Sequence, residues 1–296
     1  MSFILSEEKY DKAKKLYPIA RLKTKSKLKY IYYIEDKIPK IDEKFLQGLS
    51  HSDKEIIQQC IENNEEPDDD RLEKIYYEIL DKMKHKKKRY VVPKGKTLEV
   101  LPDFNRIQKI YISAQSGAGK STWASNWIRR YLEHYKDNEF YVLSCVDEDD
   151  VIDKLHPVRV DLDNVLSDPI DVQNELQDSV VLIDDCACIT DIQTRKYVIN
   201  LLNSIAQIGR HARCTLLNIV HNTLDRHNSK TILTEATSVV IFCRAGSNKQ
   251  NIDYMERYCN FDKDLIKKIL NLPSRFVCIT RTYPNMIIHE RGIFVV

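Results

Sequence analysis

In the run AQSGAGKST, Ala114, Gln115, Ser116, Gly117, Ala118, Gly119, Lys120, Ser121 and Thr122, two of the chain's seven glycines stand directly before a lysine and two hydroxyl residues. Gly117 and Gly119 let the backbone take conformations that a side chain resists, so successive N–H groups can turn inward on one anion. Lys120 adds a point charge for the β and γ oxygens of a polyphosphate. The Ser121 hydroxyl suits Mg²⁺, and Thr122 extends the contacts toward an α-phosphate. The spacing fits the phosphate-binding loop, with Ala114 where that pattern usually starts on glycine. A helix beginning here would aim its positive end at the same anion.

An acidic group must then hold the metal. Asp184 follows four aliphatic residues, Val180 to Ile183, and is the expected Mg²⁺ ligand. Asp185 is its neighbour, and a second acid at that place suits an enzyme that polarises water, so Asp185 is the expected general base. The plain alternative for both is an Asp-rich turn at a strand end. Downstream, in Ser204 to Asp225, a helix ends at Gly209, a basic turn follows (Arg210, His211, Arg213), and a buried strand carries His221 and Asn222 to its tip. In a parallel sheet that tip lies beside the phosphate loop, where His221 can sense a γ-phosphate. Arg210 and Arg213 fall at the opposite end, better placed to reach the nucleotide of a neighbouring subunit. That suggests an arginine finger in trans and a homo-oligomeric ring, against the simpler reading of a helix end capped by basic residues.

These groups need an α/β scaffold. From about residue 105, short apolar runs alternate with helical patterns, the signature of βα units in a mostly parallel sheet flanked by helices. The expected strands are IQKIYISA, EFYVLSCV, HPVRVDL, SVVLIDD, CTLLNIV, SVVIFC and RFVCITR, with NMIIHERGIFVV as a terminal hairpin or edge strand. Helices are expected near Ser121 to Tyr135, Thr194 to Ile208 and Asn251 to Leu270. Trp123 and Trp127, four apart, are expected to pack the first of these on the sheet rather than to stack on a base. Residues 1–95 read as a charged helical extension with a small core, on the strength of RLEKIYYEILDKM. Residues 96–296 read as the main domain, with VVPKGK marking the boundary.

Composition excludes more than it selects. With 43% hydrophobic and 30% charged residues the chain reads as soluble and globular. No apolar run approaches the roughly 18 to 20 residues that a membrane helix needs, and the charged start argues against a secretory signal, so the cytoplasm is the expected compartment. Eight scattered cysteines read as reduced thiols; Cys186 and Cys188 could ligate metal, but a second pair at metal-site spacing is missing. A net charge of +2 does not announce a nucleic-acid binder, although Lys82 to Arg89 packs six Lys/Arg into eight positions.

The order AQSGAGKST, then VVLIDDC, then GRHARCTLLNIVHN resembles the FtsK/HerA superfamily of P-loop ATPases, and within it the poxvirus-type genome-packaging ATPases of large nucleocytoplasmic DNA viruses. The similarity spans roughly Ile107 to Arg281. It implies an ASCE/RecA-like P-loop NTPase fold and ATP as the nucleotide. It further implies an ATP-driven ring that translocates double-stranded DNA without sequence preference into a capsid, with a capsid or nuclease partner and, for a viral protein, the host cytoplasm or the virion as its place. That family usually has glutamine where this chain has His221. Leu224 to Lys230 and Gly246 to Lys249 are candidate DNA-facing loops. Two other functions stay open on the residues alone: a nucleoside or nucleotide kinase, though no arginine-rich lid segment is evident, and a nucleotide-dependent scaffold. A GTPase would want an NKxD-type motif and a transporter ATPase an LSGGQ signature, and neither is present.

Overall fold

The computed structural model describes residues 2–7, 17–23, 28–34, 41, 43–63, 65–87, 89–224, 230–245 and 248–296, with backbone alone at 2 and 81–87. The chain opens with strands β1 (Ser2–Ser6), β2 (Ala20–Lys23) and β3 (Lys29–Ile34), then helices α1 (His51–Asn63) and α2 (Asp70–Lys87), then β4 (Arg89–Val91) and β5 (Thr97–Val100). The expectation of a helical extension over 1–95 is therefore corrected. Its helices share a small core of Leu46, Ile57, Ile61, Leu72, Tyr76 and Ile79, but β1, β3, β2 and β5 form a four-stranded antiparallel sheet in that order. The sequence KYIYYI accounts for β3: aromatic and β-branched residues favour a pleated, half-buried surface, and Tyr30, Ile31 and Tyr32 are buried there. The boundary near residue 95 is crossed as well, because β4 joins the second, larger sheet while β5 joins the small one.

The larger sheet comprises β4, β6 (Lys109–Ser113), β7 (Glu139–Ser144), β8 (Val158–Arg159), β9 (Ser179–Asp184), β10 (Thr215–Val220), β11 (Ser238–Ile241), β12 (Val277–Thr280), β13 (Met286–His289) and β14 (Gly292–Val295). Its order is β4-β14-β13-β12-β11-β6-β10-β9-β7-β8. From β11 to β8 every link is parallel, and from β11 to β4 every link is antiparallel. The run HPVRVDL yields only the two-residue β8.

Strands with consecutive apolar residues are covered on both faces, as parallel strands must be. Along β9, Val180 and Leu182 face one core, while Val181 and Ile183 face the other. The first core takes α3 (Lys120–His134) and the small sheet, through Trp127, Ile128, Leu22, Ile31 and Val100. The second takes α4 (Ile192–Ile208), α5 (Lys230–Glu235), α6 (Asn248–Cys259) and α7 (Lys263–Leu270). Fully burying such an aliphatic or aromatic side chain stabilises by about 1.5–3 kcal/mol. The single helix expected over Asn251 to Leu270 is two helices: Asn260 takes a left-handed φ of 54°, and Asp262 restarts the chain as the cap of α7 by accepting from Leu265 N at 2.8 Å. No helix among the described residues is long and apolar enough to cross a membrane.

Candidate active site

The turn between β6 and α3 is built for an anion. Gly117 and Gly119 have φ of 75° and 100°, conformations that L side chains rarely adopt. Gly119 caps α3 without any side-chain hydrogen bond, so the helix's first amides are left for something else. The loop is anchored at its start, where Ala114 N donates to Val220 O at 3.2 Å and Gln115 N donates to Ala245 O at 3.4 Å. Lys120 is only 8% exposed. Its ammonium donates to Ala114 O at 2.7 Å and Gln115 O at 3.2 Å. Burial lowers the lysine's pKa, against the pull of Asp184 and Asp185. The cation therefore sits in a poorly solvated cage and would gain from an anionic partner.

β9 and β10 deliver the acids and the histidine. The parallel register pairs Asp184 with Ile219 and with Ser144. Burial, followed by the charge of Asp185 next door, pushes the Asp184 carboxyl up to about 6. Asp185 then turns out of the strand with a left-handed φ of 47°, its N–H held by Ile219 O at 3.0 Å. β10 lies between β6 and β9, so the residue just past its end, His221, reaches both neighbours. Its Nδ1 is 3.2 Å from Lys120 Nζ and its Nε2 is 2.7 Å from Asp185 Oδ2. One tautomer satisfies both contacts, with Nε2–H donating to the carboxylate and Nδ1 accepting from the ammonium. Cys188 Sγ donates to the same Oδ2 at 3.0 Å, which pushes the Cys188 thiol up to about 11.

Lys120, Ser121, Thr122, Asp184, Asp185 and His221 line one cavity of about 410 Å³. Its donor set of a hydroxyl and a buried carboxylate fits a hard cation such as Mg²⁺, which typically takes one or two protein oxygens and completes its shell from substrate phosphate and water. Among the described residues no group of three His, Cys, Asp or Glu side chains forms a metal cluster, so Ser121 and Asp184 would hold Mg²⁺ only together with substrate oxygens. Cys186 is buried, and the Cys188 thiol donates to Asp185 rather than pairing with Cys186.

No family model matches the sequence. The uncharacterized protein V3 of the Sputnik virophage is 32% identical over 209 residues, which cover 70% of this chain and 84% of that protein. The chain belongs to the family of that virophage protein. Among solved structures, the V3-family chain is similar to the genome packaging NTPase B204 from Sulfolobus turreted icosahedral virus 2 in complex with AMP. That match has a TM-score of 0.44 at 12% identity and covers 62% of this chain and 98% of that one. It is also similar to the pCW3 conjugation coupling protein TcpA in its monomer form with ATPgS, with a TM-score of 0.43 at 14% identity, covering 93% of this chain and 77% of that one.

Within this V3-family chain one cavity brings together Ser116, Gly117, Gly119, Lys120, Ser121, Thr122, Asp184, Asp185 and His221; Ala114 and Gln115 meet Lys120 through their carbonyls, and the arginines lie elsewhere. Arg210 is exposed in the turn before β10, at the end remote from His221, with Nε 3.4 Å from His211 Nε2. Arg213 is exposed too and makes a two-pronged ion pair with Asp178 at the foot of β9. The contact of Cys188 on Asp185 and the place of Asp149 in the cavity wall were missed from the sequence. Asp149 accepts from Val151 N at 2.8 Å and Ile152 N at 3.0 Å, a local turn whose DEDD sequence was a usable signal. The candidate DNA loops fall largely on 225–229 and 246–247, and the basic run largely on 82–88, all outside the described residues or side chains.

Proposed function

We propose that this chain is an ATP-hydrolysing motor of the FtsK/HerA type, one that moves double-stranded DNA and serves a virus in packaging its genome. The observation that carries the reading is the linkage Lys120–His221–Asp185 across three adjacent parallel strands, beside an anion-binding turn. The family tie to a virophage protein supports the viral setting, in the host cytoplasm or the virion.

The residues divide the work. The amides of the 114–122 turn and the start of α3 take the phosphates, and Lys120 gives up its carbonyl contacts for the β and γ oxygens. Bound Mg²⁺, held through Ser121 and Asp184, would neutralise charge developing between those phosphates. Asp185 has Oδ2 occupied by His221 and Cys188, which leaves Oδ1 to accept the proton of the attacking water. The water oxygen bonds to the γ-phosphorus as the bond to the β–γ bridging oxygen breaks, giving ADP and phosphate. When Lys120 shifts to phosphate, His221 loses a partner at Nδ1, so β10 registers whether the γ-phosphate is present. In a homo-oligomeric ring, Arg210 would reach a neighbour's nucleotide from the far end of β10.

The test is hydrolysis with and without duplex DNA at two salt concentrations, on wild type, Lys120→Ala, Asp185→Asn and His221→Ala. The expectation is stimulation by DNA that weakens as salt rises, because phosphate contacts release counterions. Turnover should be lost in Lys120→Ala and fall by about 10²–10⁴ in Asp185→Asn, the usual worth of a positioned base. Hydrolysis indifferent to DNA at low salt would remove the motor reading and leave an ATPase.

A further inference from the structure

Beside the phosphate cavity lies a second one of about 160 Å³, which shares Gly119 and Thr122 with it. That is roughly ten times the ~10–15 Å³ that one water needs, too much for an ordinary packing defect. Its walls are aromatic: Trp123, in the first turn of α3, meets Phe276 edge-on at 6.2 Å, and Phe242 tilts against Phe276 at 5.9 Å. Phe242 and Phe276 are buried, and Trp123 is partly buried. From the sequence, packing on the sheet is the expectation for both tryptophans, with stacking on a base as the alternative. Trp127 packs there, at 2% exposure and stacked on Tyr131, and Trp123 packs against the same core with part of its surface while the rest lines the cavity. The opposite wall comes from the small sheet, with Leu98 and Val100, and the rim carries Arg275 and Glu290.

We infer that this cavity receives the base of the nucleotide, stacked on Trp123, so that the N-terminal sheet forms part of the nucleotide site. The inference rests on the phosphate assignment of the 114–122 turn. A ligand whose β-phosphate lies in that turn runs past Thr122 toward its α-phosphate and sugar, and Thr122 is where the two cavities meet. Flat, sequence-tolerant stacking on an aromatic face is the general way proteins hold a base. The arrangement also gives β5, the strand that links the extension to the main domain, a direct part in binding.

The experiment compares affinities for ATP and for inorganic tripolyphosphate, both with Mg²⁺, on the full chain as wild type, Trp123→Leu and Trp123→Phe, with melting curves to confirm folding. Wild type is expected to bind ATP about ten- to a hundredfold more tightly than tripolyphosphate, the range that stacking one base is worth. Trp123→Leu should lose most of that difference while binding tripolyphosphate as before, and Trp123→Phe should keep much of it. ATP should also change the intrinsic fluorescence, since Trp123 is one of only two tryptophans and the other is buried. Equal wild-type affinity for the two ligands overturns the base assignment and leaves the phosphate turn standing. So does an ATP preference that Trp123→Leu does not alter. If neither ligand binds, the nucleotide reading itself fails.

Discussion

At the scale of single residues, Asp184 is the group with most to tell. Its carboxyl is raised to about 6 by burial and by Asp185, so the folded ligand-free protein prefers it protonated. The stabilisation this gives is complete below the ordinary carboxylate pKa near 4 and is lost as pH rises through about 6. At pH 7 the ionised group therefore works against the fold, and Asp184→Asn should raise the stability of the ligand-free protein by about 1–3 kcal/mol while abolishing hydrolysis. Melting temperature followed from pH 4 to 8 checks this: wild type should weaken across pH 4–6 relative to the variant, and parallel curves would show that Asp184 is not strained. The grouping of Lys120, Ser121, Asp184 and Asp185 at one cavity was legible because they lie in contiguous motifs. The contact of Trp123 with Phe276 was not legible, because Phe276 is 153 positions away and only the folded sheet brings the two together.

At the scale of elements, the small sheet is fastened to the main domain by charge as well as by apolar contact. Glu99, in the middle of β5 and 7% exposed, accepts from Arg21 Nε at 2.6 Å and from Arg130 Nε of α3 at 3.4 Å. Removing one partner of a mostly buried pair leaves the others uncompensated. Because both arginines keep some access to water, Glu99→Ala should cost about 1–3 kcal/mol in chemical denaturation rather than the ~3–5 kcal/mol of a fully buried pair. Glu99→Gln should recover part of it; an unchanged midpoint in Glu99→Ala would mean that apolar packing alone holds the sheet. β1 to β3 escaped the sequence reading because lysine- and glutamate-rich flanks dominated a region whose strands are only four to six residues long. Helix periodicity in α2 was the stronger signal there, and it was extended too far. The parallel strands were legible because consecutive apolar residues such as Val180 to Ile183 tolerate no polar face.

At the scale of the whole molecule, a finger acting in trans makes a distinctive demand. Arg210 is exposed and remote from its own Lys120, so Arg210→Ala should leave folding and nucleotide affinity intact and remove turnover from the assembled protein. Mixing Arg210→Ala with Lys120→Ala chains, each inactive alone, should restore part of the hydrolysis, since some interfaces then combine an intact arginine with an intact phosphate turn. Failure of every mixing ratio to restore activity would place the arginine outside catalysis.

The larger sheet bears on how such copies meet. It ends in the two-residue β8 on one side and the three-residue β4 on the other, so each border offers an incoming backbone only two or three rungs to pair with. Stubby margins of this kind discourage one molecule from zipping onto the next as a continuous ribbon, the route by which open borders polymerise. Copies meeting in the proposed ring would instead recognise each other through side chains on helices and loops, contacts that could loosen and re-form at every turnover without unravelling the scaffold they rest on.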